Sequence, residues 1–226
     1  LVAALVTPRA MYACSSTPCS ARDLRRLRAD VARTIWGQAN KWRANEVLFT
    51  FLTRGHIVDP VQVSAYSSVT TARRVLAQQP DLMDIFRETL IMREEARWNR
   101  TTLPDIGPVA QFLHACSIAN LSISSENCSV LFHLQEGDAT KVQEIEFITC
   151  DEGRLKHTLR QSMRMELWDD LRRRRPNFAG AEKGFNKDIS NHLFRSNKLS
   201  GLSKYNLRVI MAGAVPTMSR VARENK

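Results

Sequence analysis

The sequence lacks several features that would place it in a common class of protein. No apolar run reaches the roughly 18–20 residues that a membrane-spanning helix needs, and the opening LVAALV is too short for the core of a signal peptide. The five cysteines are odd in number and irregularly spaced, which argues against a disulfide framework and favours a reducing, intracellular compartment, nuclear or cytoplasmic. Because Cys14 and Cys19 have no histidine close by, we predict no metal site and no cofactor in this chain.

Acidic residues are scarce relative to basic ones. The 226 residues include 33 Lys and Arg against 23 Asp and Glu, which gives a formal net charge of +10. That charge is uneven, with a net +6 in residues 1–100, −5 in 101–150 and +9 in 151–226. We therefore divide the chain into a basic helical region, an acidic region of linker, helix and hairpin, and a basic helical C-terminal region. A basic balance favours a polyanionic partner and carries no information about the fold.

The spacing of apolar residues predicts a mainly α protein, a bundle-like array of helices with one small β-hairpin. Residues 128–134 are rich in strand formers, and residues 142–150 alternate between apolar and polar side chains. With the turn-like insert around Gly137 between them, they predict the hairpin. Elsewhere the helical period predicts helices over 20–37, 46–54, 60–79, 81–98, 109–121, 154–175, 189–195 and 202–211.

The stretch SARDLRRLRADVARTIWG, from Ser20 to Gly37, is the first candidate for a functional helix. Its aliphatic residues recur at helical spacing and form one apolar face, and Ser20 with Asp23 predicts a capping box at the start. Arginines fall on another flank of the helix. Guanidinium groups suit phosphates because they donate two parallel hydrogen bonds to two oxygens. The nucleic-acid-binding residues predicted on this helix are Arg22, Arg25, Arg26 and Arg33.

A second basic cluster follows from the end of the longest predicted helix. Four consecutive arginines stand before Pro176, at a helix C-terminus where cations suit the helix dipole. A run of this kind usually forms a solvated helix end. If both clusters are functional, they should form one continuous surface for a nucleic acid duplex. The nucleic-acid-binding residues predicted here are Arg172, Arg173, Arg174, Arg175, Lys183 and Lys187.

No group of residues specifies a catalytic site. Asp169-Asp170 is the only Asp-Asp pair, and it lies inside a helical pattern instead of on the rigid turn that two-metal chemistry needs. His56 and Asp59 stand close together, but Asp59 before Pro60 is typical of a helix N-cap. The glycine-containing FAGAEKGFNKD has neither the spacing nor the Lys-Ser/Thr ending of a phosphate-binding P-loop. We therefore assign no catalytic residues to this chain.

The order of these features resembles one known family. PRAMYACSSTPCSARDLRRLRADVARTIWG resembles the segment just after the polymerase palm in reverse transcriptases of non-LTR (LINE-type) retroelements. RGHIVDPVQ, LWDDLRRRRPNFAG and LRVIMAGAV resemble downstream stretches of divergent retroelement-like reading frames. In that family the segment is a helical thumb and connection region that holds the primer–template duplex. The positions that carry the resemblance are Pro8, Tyr12, Leu24, Leu27, Trp36 and Gly37.

The resemblance implies a non-catalytic, duplex-gripping part of an RNA-directed DNA polymerase. The family's Tyr-x-Asp-Asp turn is not in this chain, which also has no initiator methionine, so we expect a fragment. Its partners would be the backbone of an RNA or DNA duplex and the missing polymerase palm, and no membrane is expected. Two alternatives stay open. One is a helical protein-interaction scaffold with an incidental basic surface, and the other is a decayed element fragment without a selected function.

Overall fold

The computed structural model describes residues 2, 6–17, 19–36, 44–99, 106–125, 127–136, 139–175, 178 and 196–211, and within them the predicted mainly α architecture is confirmed. None of these helices is both long and apolar enough to cross a lipid bilayer. The described elements are α1 (Thr7–Ala10), α2 (Ala21–Trp36), α3 (Asn45–Val47), a π-helical turn (Leu48–Leu52), α4 (Gly55–Val58), α5 (Pro60–Gln78), α6 (Leu82–Trp98), α7 (Pro108–Ile118), β1 (Leu121–Ile123), β2 (Ser129–Glu136), β3 (Ala139–Glu146), α8 (Glu152–Arg174) and α9 (Gly201–Met211).

The sheet contains the predicted hairpin and one strand more. Its order is β1-β2-β3, and both pairs of neighbouring strands are antiparallel. Leu121, which the periodicity placed at the end of a helix, instead lies in β1 opposite Phe132. The helix stops at Ile118 because Asn120 adopts a φ of 52°, a left-handed conformation that asparagine tolerates better than most residues.

The main core lies between the sheet and helices α5 to α8. The rings of Phe86 and Phe147 both contact Phe112, with centroids 5.5 Å apart in each pair. Leu159 of α8 is completely buried in the same cluster. Residues from all three charge-defined regions of the sequence therefore share this core. Other buried members are Ala65, Val69, Leu90, Ala115, Val130, Phe132, Ile145, Leu155 and Met163.

Two smaller apolar clusters attach the N-terminal helices to α8. The buried face of α2 packs through Val31 onto Phe49 of the π-helical turn. Val47 of α3 packs against Trp168 and Leu171, near the end of α8. Since α8 also contributes to the main core, it links the three clusters and fixes where its own C-terminal arginines lie.

The helix predicted over 46–54 is confirmed in part: the helical backbone is unbroken from Asn45 to Leu52, but it ends before residue 54 and its second half is π-helical. The segment forms α3 and the π-helical turn, and Gly55 begins α4 instead of ending the preceding helix. A Cβ at Gly55 would collide with the backbone carbonyl of Phe49 and the side chain of Gln62. The absence of a side chain at Gly55 therefore allows the π-helical turn, α4 and α5 to approach one another closely.

Helices α2, α5 and α8 each begin at a capping residue, and the sequence predicted the first two of these caps. The amide of Asp23 donates to the Ser20 hydroxyl at 3.1 Å, which confirms the capping box. The Asp59 carboxylate accepts from the amide of Val61 at 3.1 Å, and α8 is capped by Asp151. The predicted stop at Gly37 and the predicted helix over 189–195 lie outside the described residues.

Candidate functional site

Three arginines of α2 form an exposed basic surface, which we call the α2 basic flank. Arg22, Arg25 and Arg26 are all exposed, and their spacing of three and four residues places their side chains side by side. Asp23, on the same turn, is engaged with Ser20, whose hydroxyl donates to it at 2.6 Å. Among the described residues, none of the three guanidinium groups has an ion-pair partner. These charges are therefore available to an external anion.

Two further arginines of α2 have partners within the chain. Arg33, predicted to join the flank, is exposed but donates to Asp30 at 2.7 Å. Arg28 turns inward, where its Nη2 lies 2.9 Å from Oδ2 of the fully buried Asp59 and its guanidinium carbon lies 5.1 Å from the centroid of the Phe49 ring. Burial raises the pKa of Asp59, although the Arg28 charge acts in the opposite direction.

The arginines at the end of α8, Arg172 to Arg174, form what we call the α8 arginine run, and each has a carboxylate partner. Nη2 of Arg172 lies 3.2 Å from Asp169. Arg173 lies 3.1 Å from the same aspartate and 3.2 Å from Glu166. Arg175 is likewise not free of partners. The structure thus places much of this predicted surface beside its own acidic residues, which reduces the charge that it offers to a phosphate.

Arg174 makes the one described ion pair that links this run to the N-terminal half. Its Nη2 donates to Glu46 of α3 at 2.5 Å and also contacts Asp170, one turn earlier on α8. The Glu46 side chain is only 7% exposed, whereas that of Arg174 is 56% exposed. Arg174 therefore balances the charge of a buried carboxylate. The other two predicted binding residues, Lys183 and Lys187, lie outside the described residues.

A recessed pocket that the sequence did not predict lies between the π-helical turn, α4 and α8. Its volume is about 60 Å³, its lining contains Arg54, His56, Arg160 and Arg164, and none of its lining residues is acidic. Burial, with the charges of the three arginines, lowers the pKa of His56 to about 4. Burial and the charge of Arg160 also lower the pKa of Arg164. This pocket, which we call the arginine pocket, concentrates positive charge without an internal counterion.

One sequence signal could have indicated this pocket. Arg160 and Arg164 stand four residues apart on α8, where like charges repel, and neither has an acidic residue three or four positions away. The arginines at the end of the same helix do have such neighbours. The contribution of Arg54 could not be read from the sequence, because it lies more than 100 positions before Arg160 and Arg164.

A larger cavity, of about 550 Å³, lies against the sheet and contains a hydroxyl–imidazole pair. The Ser122 hydroxyl lies 2.9 Å from Nε2 of His133. An activated serine needs a third group that orients the imidazole, and in the part of the chain that the structure describes no carboxylate is bonded to His133. The same described part contains no group of three or more His, Cys, Asp or Glu residues placed to hold a metal ion.

Function has to be inferred from these surfaces themselves. Comparisons of the chain with protein-family models, with curated proteins and with solved structures found no match. The resemblance to non-LTR reverse transcriptases therefore stays a prediction from the sequence.

Proposed function

We propose that this chain binds the phosphate backbone of a nucleic acid duplex without sequence preference, with the α2 basic flank as its main contact surface. One observation carries the proposal: Arg22, Arg25 and Arg26 are exposed on one flank and have no carboxylate partner among the described residues. The net charge of +10 supports it, because a positive field attracts polyanions and speeds their association.

The geometry of α2 suits contacts with successive phosphates. Arg22 and Arg26 are separated by about 6 Å along the helix axis, at about 1.5 Å per residue. A DNA duplex carries one phosphate charge per about 1.7 Å of its axis, so three neighbouring guanidinium groups have several phosphates within reach. Leu24 and Val31 are buried on the opposite face and fix the orientation of the helix. Such contacts position a duplex without reading its sequence.

The family resemblance directs this proposal to a primer–template duplex. In it, the chain is the non-catalytic part of a retroelement RNA-directed DNA polymerase that holds the duplex, and chemistry belongs to a palm outside this chain. The α8 arginine run and Arg33 contribute less than the α2 basic flank, because carboxylates beside them already neutralise part of their charge.

A salt titration of duplex binding tests this proposal. Fluorescence anisotropy would compare the parent chain with the triple variant Arg22→Ala/Arg25→Ala/Arg26→Ala, from about 50 to 200 mM salt. Each phosphate contact contributes about 0.9 to the slope of log affinity against log salt concentration, so the triple variant should lose about 2–3 from that slope. The double variant Arg172→Ala/Arg173→Ala is the matched control and should lose less than about 1.

The result should be independent of the sequence of the duplex. Two unrelated duplexes of equal length should lose affinity alike in the triple variant, and circular dichroism should show an unchanged fold because the three residues are exposed. If the parent chain fails to bind duplex even at low salt, or the triple variant keeps the parent's slope, the proposal is wrong. The protein-interaction scaffold would then be the better hypothesis.

A further inference from the structure

The arginine pocket differs from the other arginine-rich places in the structure because its charges are uncompensated and two of its three arginines are half-buried. Arg33, Arg172, Arg173 and Arg174 each have a carboxylate within ion-pair distance. In the described part of the chain, Arg54, Arg160 and Arg164 have none. Arg160 and Arg164 are half-buried, whereas Arg54 and the arginines of the α2 basic flank are exposed.

Placing these cations together without a counterion is unfavourable. Like charges disfavour one another's ionised form, and partial burial removes part of the water that would screen them. The effect is visible at His56, whose pKa falls to about 4 through burial and the charges of Arg160, Arg54 and Arg164. The imidazole also lies beside the Tyr66 ring, with 5.1 Å between the ring centroids. The counterion must therefore come from outside the described chain.

The neutral polar side chains in the wall of the pocket are held in place by hydrogen bonds to backbone carbonyls. Gln62 is anchored to α8, because its Nε2 donates to the Met163 carbonyl at 3.3 Å. The hydroxyls of Thr50 and Thr53 donate to backbone carbonyls at 2.6 and 2.8 Å. Their hydrogens are thus already used, and the guanidinium groups supply the free donors. The three guanidinium groups, with no acidic residue in the lining, match a ligand that is rich in hydrogen-bond acceptors.

We propose that the arginine pocket binds a phosphate monoester group. Guanidinium forks hydrogen-bond in pairs to phosphate oxygens, and a monoester offers three such oxygens with close to two negative charges at neutral pH. A volume of about 60 Å³ holds about two waters, which one tetrahedral oxyanion would displace, but it leaves no room for a sugar or a base. A phosphodiester within a strand carries a sugar on both sides, so a recessed pocket of this size accepts the end of a strand better than its middle.

This inference deepens the proposed function and rests on it in one respect. If the chain binds nucleic acid, the monoester is the terminal phosphate of a strand, and the α2 basic flank binds the internal phosphates. A free phosphate or a mononucleotide offers the same group. A strand end and a free phosphate can be distinguished, because only the strand end requires that the phosphate be attached to a duplex.

The test compares two ends of the same duplex. Affinities for a 5′-phosphorylated and a 5′-hydroxyl duplex are measured for the parent chain, for Arg160→Ala/Arg164→Ala and for the control Arg154→Ala, an exposed arginine on the same helix. The parent and the control should prefer the phosphorylated duplex about tenfold or more, the size of one charge-assisted hydrogen bond. The double variant should lose that preference and keep the parent's affinity for the hydroxyl duplex. A thermal melt with inorganic phosphate alone forms the second arm, in which phosphate should raise the melting temperature of the parent but not of the double variant.

These outcomes separate the pocket from the proposed function. A preference for the phosphorylated end that disappears in the double variant supports the pocket and its strand-end ligand. Stabilisation by inorganic phosphate without any duplex binding supports the pocket, assigns it a free phosphate and refutes the proposed function. Equal affinity for both duplexes together with no stabilisation by phosphate would refute the pocket, even if the α2 basic flank binds duplex as proposed.

Discussion

The arginines of α2 and those at the end of α8 look alike in the sequence but have different surroundings in the structure. On α2, Arg22, Arg25 and Arg26 are exposed and unpaired within the described residues, while Arg28 of the same helix is paired with a buried aspartate. In the α8 arginine run, carboxylates from the preceding turn approach every guanidinium group. A dense arginine run is thus no measure of the charge that a surface offers.

The difference follows from which residues stand one helical turn before each arginine. Glu166, Asp169 and Asp170 precede the α8 arginine run, so its members find acidic partners three, four or seven residues away. On the N-terminal turns of α2 the acidic residue is Asp23, which the capping box uses. Neutralisation of a basic helix end by its own preceding turn is therefore readable from sequence, whereas an inward-turned arginine such as Arg28 is not.

The largest effect on stability should come from the inward-turned arginine. Arg28→Ala removes the partner of a fully buried carboxylate, and breaking a buried ion pair costs about 3–5 kcal/mol of unfolding free energy. Arg25→Ala, three residues earlier, should change it by less than about 0.5 kcal/mol. Urea denaturation measures both. Adding Asp59→Asn to Arg28→Ala should recover part of the loss, because asparagine keeps an oxygen for the cap of α5. If Arg28→Ala and Arg25→Ala were equally stable, the buried and the exposed arginines of α2 would contribute alike and the prediction would be wrong.

An intermediate effect should come from Arg174, the exposed arginine with a buried partner. Arg174→Ala leaves Glu46 without its charged partner, and hydrogen bonds to charged groups contribute about 1.5–3 kcal/mol. Because Arg174 is 56% exposed, solvent reduces the loss, and we expect about 1–2 kcal/mol. A double-mutant cycle with Glu46→Gln measures the coupling between the two residues. Additive changes in that cycle would show that α3 and α8 are held together by apolar packing alone.

A smaller effect should come from the rest of the α8 arginine run. Arg172→Ala/Arg173→Ala removes ion pairs to partly exposed carboxylates, each of which is worth about 0.2–1 kcal/mol. The loss should shrink at high salt, where exposed charges are screened. Denaturation at low and high salt checks this expectation. If the loss of unfolding free energy equalled that of Arg174→Ala and did not depend on salt, Arg172 and Arg173 would also be paired with a buried group.

Near neutral pH the smallest effect should come from the arginine pocket, whose influence on stability appears only in acid. The pKa of His56 is about 4 in the folded chain and 6.5 for an ordinary histidine. Between these values the unfolded chain takes up a proton that the folded chain does not, so stability is lost as the pH falls through that window. His56→Gln should reduce this loss and leave stability near pH 7.5 nearly unchanged. Denaturation of the parent and the variant at both ends of this pH window tests the prediction. If the stabilities of the two proteins changed in parallel with pH, His56 would not sense an uncompensated positive charge from the arginines of the pocket.

Local signals in the sequence predicted most of the helices. Capping residues at Ser20 and Asp59 and the apolar spacing of residues 154–175 placed the starts of α2 and α5 and nearly all of α8. The short strand β1 could not be predicted, because three residues carry no periodicity and the break depends on the backbone of Asn120. The early end of the helix at Leu52 and the new helix that begins at Gly55 depend on close packing around Gly55, which only the folded chain creates.

The candidate sites were less predictable, because they depend on residues far apart in the chain. The exposed face of α2 followed from its spacing, whereas the inward turn of Arg28 depends on Asp59, 31 positions later. The arginine pocket joins Arg54 to Arg160 and Arg164 through tertiary packing. The predicted role of Arg172 to Arg175 in binding nucleic acid stays a prediction. In the structure, the members of the α8 arginine run are paired with carboxylates.

The hydrogen bond between Glu46 and Arg174 can form only late in the synthesis of the chain. The two residues are 128 positions apart, so a ribosome that adds 5–20 residues per second delivers Arg174 roughly 6–26 s after Glu46. Val47 waits equally long for Trp168 and Leu171, which cover it in the finished structure. During that interval the nascent chain exposes the apolar side chain of Val47 and the carboxylate of Glu46, both of which are buried in the finished structure. A truncated product that ends before Trp168 would keep these side chains exposed, which makes it a target for chaperones and proteases.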